Sequence, residues 1–213
     1  NINIDKSLYE ILDPSVPDEE KPDVKDCIYP TIHENLYILA NVTETAAHEV
    51  PMTQRYPESN FFLRQKVRDY VTANFDFAFI DCPPTLSIFV NNAMYCADFL
   101  LIPTDAGSGN SLKGIKGILD LMDSARDDGI NIKFLKILIN KIDRRLSTHK
   151  AIVAYLHEKF GEDSAFKTII PTSAHFVDAE FRSPCTIFTK EPRSKGASSF
   201  RDLATEFLKS FGS

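Results

Sequence analysis

The stretch Phe77-Ala-Phe-Ile-Asp-Cys-Pro-Pro84 sets the reading of the whole chain. Four apolar residues in a row, two of them aromatic, suit a short strand covered on both faces. Asp81 ends the run, and Pro83 and Pro84 forbid further ladder pairing. A helical pattern follows from about Leu86 to Ala97, and a second apolar run, Phe99-Leu-Leu-Ile102, stops at Pro103. Strand, helix, strand in this order predicts a βαβ unit and therefore a parallel sheet.

The alternation continues in both directions. Downstream, Ser111 is a candidate N-cap for a helix reaching Ala125. Phe134 to Ile139 reads as a strand ending at Asn140, and Thr148 to Phe160 as a helix closed by Gly161. Lys167 to Ile170 reads as a strand ending at Pro171, and a last helix runs from about Ala197 to Phe211. Upstream, Leu8, Ile11 and Leu12 share one face of a helix that Pro14 stops. Residues 13–34 are rich in Pro, Asp and Glu and read as a loop. Leu36 to Leu39 reads as a short strand, and Leu63 to Phe75 as an amphipathic helix. The sum is an α/β chain: a three-layer α/β/α sandwich with a mostly parallel sheet, in a single domain over residues 1–213.

Composition agrees. The chain has 213 residues, 43% hydrophobic and 25% charged, enough for one domain with a substantial core. No apolar run approaches the roughly 20 residues of a membrane span, and Asn1 to Asp5 carries no basic start of a signal peptide. The expectation is a cytoplasmic protein with no membrane. Cys27, Cys82, Cys96 and Cys185 form no CxxC pair, and the five histidines show no HxxxH or HExxH spacing, so a Cys or His metal site is not expected. Net charge is −6, split as −11 over residues 1–130 and +5 over residues 131–213. The basic C-terminal third suits either a phosphate-binding face or an ordinary solvated surface.

Open parallel sheets bind ligands beyond the carboxyl ends of their strands. Here those ends are Asp81, Pro103-Thr104-Asp105, Asn140-Lys-Ile-Asp143 and Pro171-Thr172. A carboxylate placed like Asp81 can hold a magnesium-bound water beside nucleotide phosphates, and the plainer reading is an aspartate capping the next helix. Asn140 to Asp143 has the N-K-x-D form with which GTPases read guanine. Those enzymes place D-x-x-G after the preceding acidic strand, where this chain has Asp81-Cys-Pro-Pro84, so ATP is favoured over GTP.

The longer pattern is more specific. Phe77 to Leu86, then Asn91-Asn-Ala-Met94, Ala97-Asp98 and Leu101-Ile-Pro103, resembles the ParA/Soj-type partition ATPases of the deviant Walker A, MinD/ParA superfamily. Lys6-Ser-Leu-Tyr-Glu-Ile-Leu12, Ser111-Leu112 with Gly114, Asp143-Arg-Arg145, Lys167-Thr-Ile-Ile-Pro171, Glu191-Pro-Arg-Ser-Lys-Gly-Ala197 and the closing Leu203-Ala204 and Phe207-Leu208 fit the family in order. The resemblance implies a P-loop NTPase-like fold, ATP and Mg2+ as cofactors, and a homodimer that closes on ATP and holds non-specific DNA. It also implies a ParB-like centromere-binding partner that stimulates hydrolysis, in plasmid or chromosome partition on the nucleoid. By the same resemblance Asp81 holds Mg2+ through water, Asn140, Asp143 and Pro171 meet the nucleotide, and Arg193, Lys195 and His175 meet DNA. His175 stands where the family usually has arginine.

The family opens with K-G-G-x-G-K-T-[ST], a helix, and a strand ending in D-x-D-P-Q. Residues 1–213 contain no such segment, and their eight glycines include no Gly-Gly pair. The resemblance therefore implies that the phosphate-holding lysine and the catalytic aspartate lie upstream, that no catalytic residue falls in this chain, and that its sheet lacks the N-terminal strands. Two other readings stay open. A MinD-like membrane-associated positioning ATPase would use the apolar face of the last helix, Phe200, Leu203, Phe207, Leu208 and Phe211; the mixed charges Arg201, Asp202, Glu206 and Lys209 favour core packing instead. The other is a non-enzymatic DNA-binding or dimerisation remnant.

Overall fold

Ser7 and Glu10 start the first helix. Glu10 accepts from the Ser7 backbone N–H at 2.7 Å, and Ser7 Oγ accepts from the Tyr9 N–H at 3.1 Å. This reciprocal cap satisfies donors that the first turn of α1 (Leu8–Leu12) would leave bare. The computed structural model describes residues 3–105, 109–143, 145–173, 176 and 186–212. The chain divides into two units: Asn1–Asp98 with Asp120–Ile132, and Phe99–Leu119 with Lys133–Ser213.

The first unit holds α1, an antiparallel hairpin of β1 (Ile28–Pro30) and β2 (Tyr37–Leu39), then α2 (Glu49–Gln54), α3 (Phe62–Asn74) and α4 (Ile88–Cys96). Ile11, Leu12, Met52, Leu63, Val67 and Ile88 form its core. Buried Asn92 joins α4 to the start of α3: its Oδ1 accepts from Leu63 N–H at 3.0 Å, and its Nδ2 donates to Ser59 O at 2.8 Å and Ile88 O at 2.9 Å. A buried amide so fully bonded fixes the pairing of two helices. Arg64 and Arg68 donate to the Tyr95 and Cys96 carbonyls at 3.0 and 2.6 Å, which completes the C-terminal end of α4 with positive charge.

The second unit is built on β3 (Phe99–Asp105) and β4 (Lys133–Asn140), parallel and in register from Leu101 opposite Lys136 to Asp105 opposite Asn140. Helix α5 (Gly109–Asp127) begins in this unit, which also holds α6 (Ser147–Phe160), α7 (Ile187–Lys190) and α8 (Lys195–Lys209). Its core includes Ile102, Ile115, Ile137, Ile139 and Leu156. Gly161 ends α6 at φ +90°, a conformation that side chains rarely adopt.

The α/β class and the parallel pairing are as expected, and five local expectations are corrected. Residues 77–80 lie outside both sheets, and Phe79 is 76% exposed. An apolar run becomes a buried strand only where ladders and helices cover it. β3 continues through Pro103 to Asp105, because a proline is tolerated where its missing N–H faces away from the ladder. α5 starts at Gly109, so Ser111 lies inside the helix rather than at its cap. Lys167–Ile170 is not a continuous strand. The chain meets β4 at Ala165 opposite Ile137, and Pro171 meets Ile142, while between them the N–H groups of Lys167 and Thr168 both turn to the Glu206 carboxylate of α8, each at 2.8 Å. Residues 13–34, read as a loop, also contain β1.

Candidate functional site

Because β3 and β4 run parallel and in register, they end side by side at Asp105 and Asn140. Asn140 Oδ1 then accepts from the Lys141 N–H at 2.8 Å, and Lys141 turns the chain with φ 54°, in the left-handed region. Lys141 Nζ lies 3.5 Å from Asp105 Oδ2, an ion pair across the two strand ends. Ile170 donates to Ile139 O at 3.0 Å and accepts from Ile142 N–H at 3.1 Å. Asn140 and Lys141 are thus closed between two bonds to Ile170, with Pro171 next in the chain. The structure brings Asn140 and Pro171 together at the carboxyl end of the sheet. Beside them Thr104, 3% exposed, has a hydroxyl with no hydrogen-bond partner among the described residues.

Asp143 follows on the same turn. Its carboxylate accepts from Arg145 N–H at 3.0 Å, from Nε at 2.9 Å and from Nη2 at 2.6 Å, a two-pronged pair. That hydrogen bond, with the charge of Asp143 behind it, pushes the Arg145 pKa up from its already high value. Arg144 lies outside the described residues. Asp81 belongs to the other unit, in an exposed segment without helix or strand.

The predicted DNA residues lie on the turn between α7 and α8. Ser194 N–H donates to Glu191 O at 3.0 Å, and Ser194 Oγ caps α8 by accepting from Ala197 N–H at 3.2 Å. Arg193 and Lys195 are exposed on either side of that cap. Gly196 is required by packing: a Cβ there would stand 2.7 Å from Phe176 Cζ and 3.0 Å from Ile187 Cδ1. Phe176 also meets Phe200 edge to face at 5.6 Å. Arg201 reaches back from α8, donating from Nη1 to Pro192 O at 2.7 Å with its guanidinium 5.3 Å over the Phe188 ring. His175 lies outside the described residues. Sequence reasoning put Arg201 and Glu206 on a mixed-charge helix face and gave them no partners. Those partners are nine and 39 residues away, beyond any local periodicity.

The AAA domain family matches residues 1–137. The sporulation initiation inhibitor protein Soj of Bacillus subtilis is 25% identical over 208 residues, 96% of this chain and 77% of its own. The chromosome-partitioning ATPase Soj of Thermus thermophilus is 32% identical over 148 residues, 68% of this chain and 57% of its own. The chain spans 63% of the length of two uncharacterized Mycobacterium tuberculosis proteins to which it is 26% identical over 210 residues. Among solved structures, Mycobacterium smegmatis cobyrinic acid a,c-diamide synthase with bound ATP analog and magnesium has a TM-score of 0.76 at 19% identity, over 99% of this chain and 74% of that one. An ATP complex of a Cyanothece McdA variant has a TM-score of 0.78 at 15% identity, over 97% and 77%. At such identities the likeness is one of fold, and it bears out the α/β, P-loop NTPase-like expectation. A family match over more than half the chain, with one Soj relative aligned along 96% of it and another 32% identical over 68% of it, makes this chain a member of the AAA domain family, of the ParA/Soj partition-ATPase type.

Proposed function

We propose that this protein is an ATPase of plasmid or chromosome partition, in which ATP with Mg2+ closes a homodimer on non-specific DNA and a ParB-like centromere-binding partner stimulates hydrolysis and release. The observation that carries this reading is the meeting of Asn140 and Pro171 at the ends of β3 and β4. Nucleotides bind beyond the carboxyl ends of such strands. Asn140 uses its carbonyl on Lys141, and its amide N–H groups meet no acceptor among the described residues, so they are available to a purine ring nitrogen. Pro171 has no N–H, and its carbonyl suits the exocyclic amino group of adenine. A guanine base would call for the Asp143 carboxylate, which here faces Arg145. The residues present therefore fit an adenine nucleotide. Asp81 would hold the Mg2+-bound water, and the metal would draw charge from the phosphates.

Arg193 and Lys195 are the proposed phosphate contacts to DNA, joined by His175. Residues 1–213 would act as one ATPase domain in the cytoplasm, on the nucleoid. The MinD-like reading is weaker because two aromatic residues of α8 and its end pack within their own unit: Phe211 meets Phe99 edge-on at 5.1 Å and lies 5.0 Å from Phe207. No helix among the described residues is long and apolar enough to cross a membrane.

Nucleotide titration of the protein as its gene encodes it, followed by calorimetry, tests the proposal. ATP should bind at least ~10-fold more tightly than GTP, and Asn140→Ala should weaken ATP by roughly 10-fold, the worth of one good hydrogen bond. Equal affinity for the two nucleotides would remove the base-reading role. DNA binding that ignores ATP would favour the non-enzymatic reading.

A further inference from the structure

Arg201 has no place in the DNA reading above, yet it holds the turn on which that reading depends. We infer that Arg201 is a positioning residue that presets the α7–α8 turn so that Arg193 and Lys195 are offered to a phosphate backbone; the inference rests on the proposed DNA contact. Three observations meet at this side chain. Its Nη1 donates to Pro192 O at 2.7 Å, a charge-assisted bond to the residue just before Arg193. Its guanidinium lies 5.3 Å over Phe188, so it also grips the helix entering the turn. Arg201 itself stands on α8, two turns beyond the Ser194 cap. One planar group therefore ties together α7, the turn and α8.

The other supports of the turn are short-range. Ser194 closes the cap, and Gly196 seats Phe176 and Ile187 against the first turn of α8. The Ser194 N–H bond to Glu191 O at 3.0 Å closes the backbone around Pro192 and Arg193, and Arg201 adds a tie to Pro192 from the body of α8. Two long cationic side chains lose rotamer freedom when they bind, and a fixed backbone beneath them lowers what remains to be ordered. The guanidinium of Arg201 is already engaged on a carbonyl and a ring, so its effect on DNA passes through Arg193 and Lys195. Lysine in its place can reach the carbonyl or the ring face, but its single ammonium lacks the planar fork that serves both.

The test compares Arg201→Gln, Arg201→Lys, Arg193→Gln/Lys195→Gln and the triple variant in the protein as its gene encodes it. Affinity for a short duplex of arbitrary sequence is measured with ATP across a salt series, and thermal melting and ATP affinity serve as controls. Arg201→Gln should weaken DNA binding about 3–10-fold by loosening a preset turn, with melting and ATP affinity held. It should leave the salt slope unchanged, whereas a lost phosphate contact lowers the slope by about 0.9. Arg201→Lys should recover part of the loss, and Arg201→Gln should cost nothing further in the Arg193→Gln/Lys195→Gln background. If that double variant binds DNA as the parent does, the DNA reading falls and this inference with it. If the double variant is impaired while Arg201→Gln is not, only the role of Arg201 is overturned. A loss that persists in the triple variant, or a slope lowered by about one, would make Arg201 a direct contact and overturn positioning.

Discussion

Tyr95 is 2% exposed and donates a short hydrogen bond to the Asp128 carboxylate within the first unit. Burial first, and the Asp128 hydrogen bond second, push its pKa up to about 12. An unfolded tyrosine titrates near 10. The bond's contribution is thus fully present below about pH 10 and is lost as pH rises through about 12. Tyr95→Phe should cost about 0.5–1.5 kcal/mol, the worth of one hydrogen bond to the exposed Asp128, and should flatten the alkaline fall in stability. Urea unfolding at pH 8 and pH 11 measures both, and identical curves for parent and variant would contradict the assignment. Gly196 makes a second prediction at this scale. With Phe176 Cζ 2.7 Å from any added Cβ, Gly196→Ala must move a ring that is itself set edge-on against Phe200. The expected cost is about 1–3 kcal/mol in thermal or chemical unfolding, as for other overpacked cores, and an unchanged midpoint would count against it.

Among the elements, α8 is tied to the chain beside β4 by one carboxylate. Burial alone would raise the Glu206 pKa, and the N–H groups of Lys167 and Thr168 outweigh it, so the group sits below its ordinary value of 4.5. Its stabilisation is present above that value and fades as pH falls through the lower folded one. Glu206→Gln should cost about 1–3 kcal/mol at pH 7 and make stability less dependent on pH below 5, measured by chemical unfolding at several pH values. This element also shows where sequence reading ends. The helix over Leu8–Leu12 and the Gly161 stop were legible because cause and effect lie within a few residues. The end of β4 at Asn140 was legible because a short apolar run closed by a polar residue announces where a parallel strand stops. Phe77–Ile80 has the composition of a strand, but composition does not supply the neighbour that makes one. β1 is three residues long, and its existence is decided by Tyr37–Leu39 opposite it. Lys167 and Thr168, between the points where Phe166 and Ile170 bond β4, turn to a carboxylate 39 and 38 residues away.

Over the whole molecule, charge is distributed unevenly: −11 over residues 1–130 and +5 beyond. A protein of net charge −6 that binds DNA must do so through a local basic surface, with repulsion from the rest. Its DNA affinity should therefore fall steeply with salt, and removing Arg193 and Lys195 together should reduce the slope of log affinity against log salt by about two. A slope that does not change would place the phosphate contacts elsewhere. The first unit is also discontinuous in sequence, Asp120–Ile132 belonging to it although Phe99–Leu119 does not. Tyr95 is made 33 residues before the Asp128 it bonds. At about 5–20 residues per second, a nascent chain would hold the first unit open for roughly two to seven seconds, until Asp128 is added. The pace of translation across Phe99–Leu119 would thus set how long that unfinished unit is exposed to chaperones.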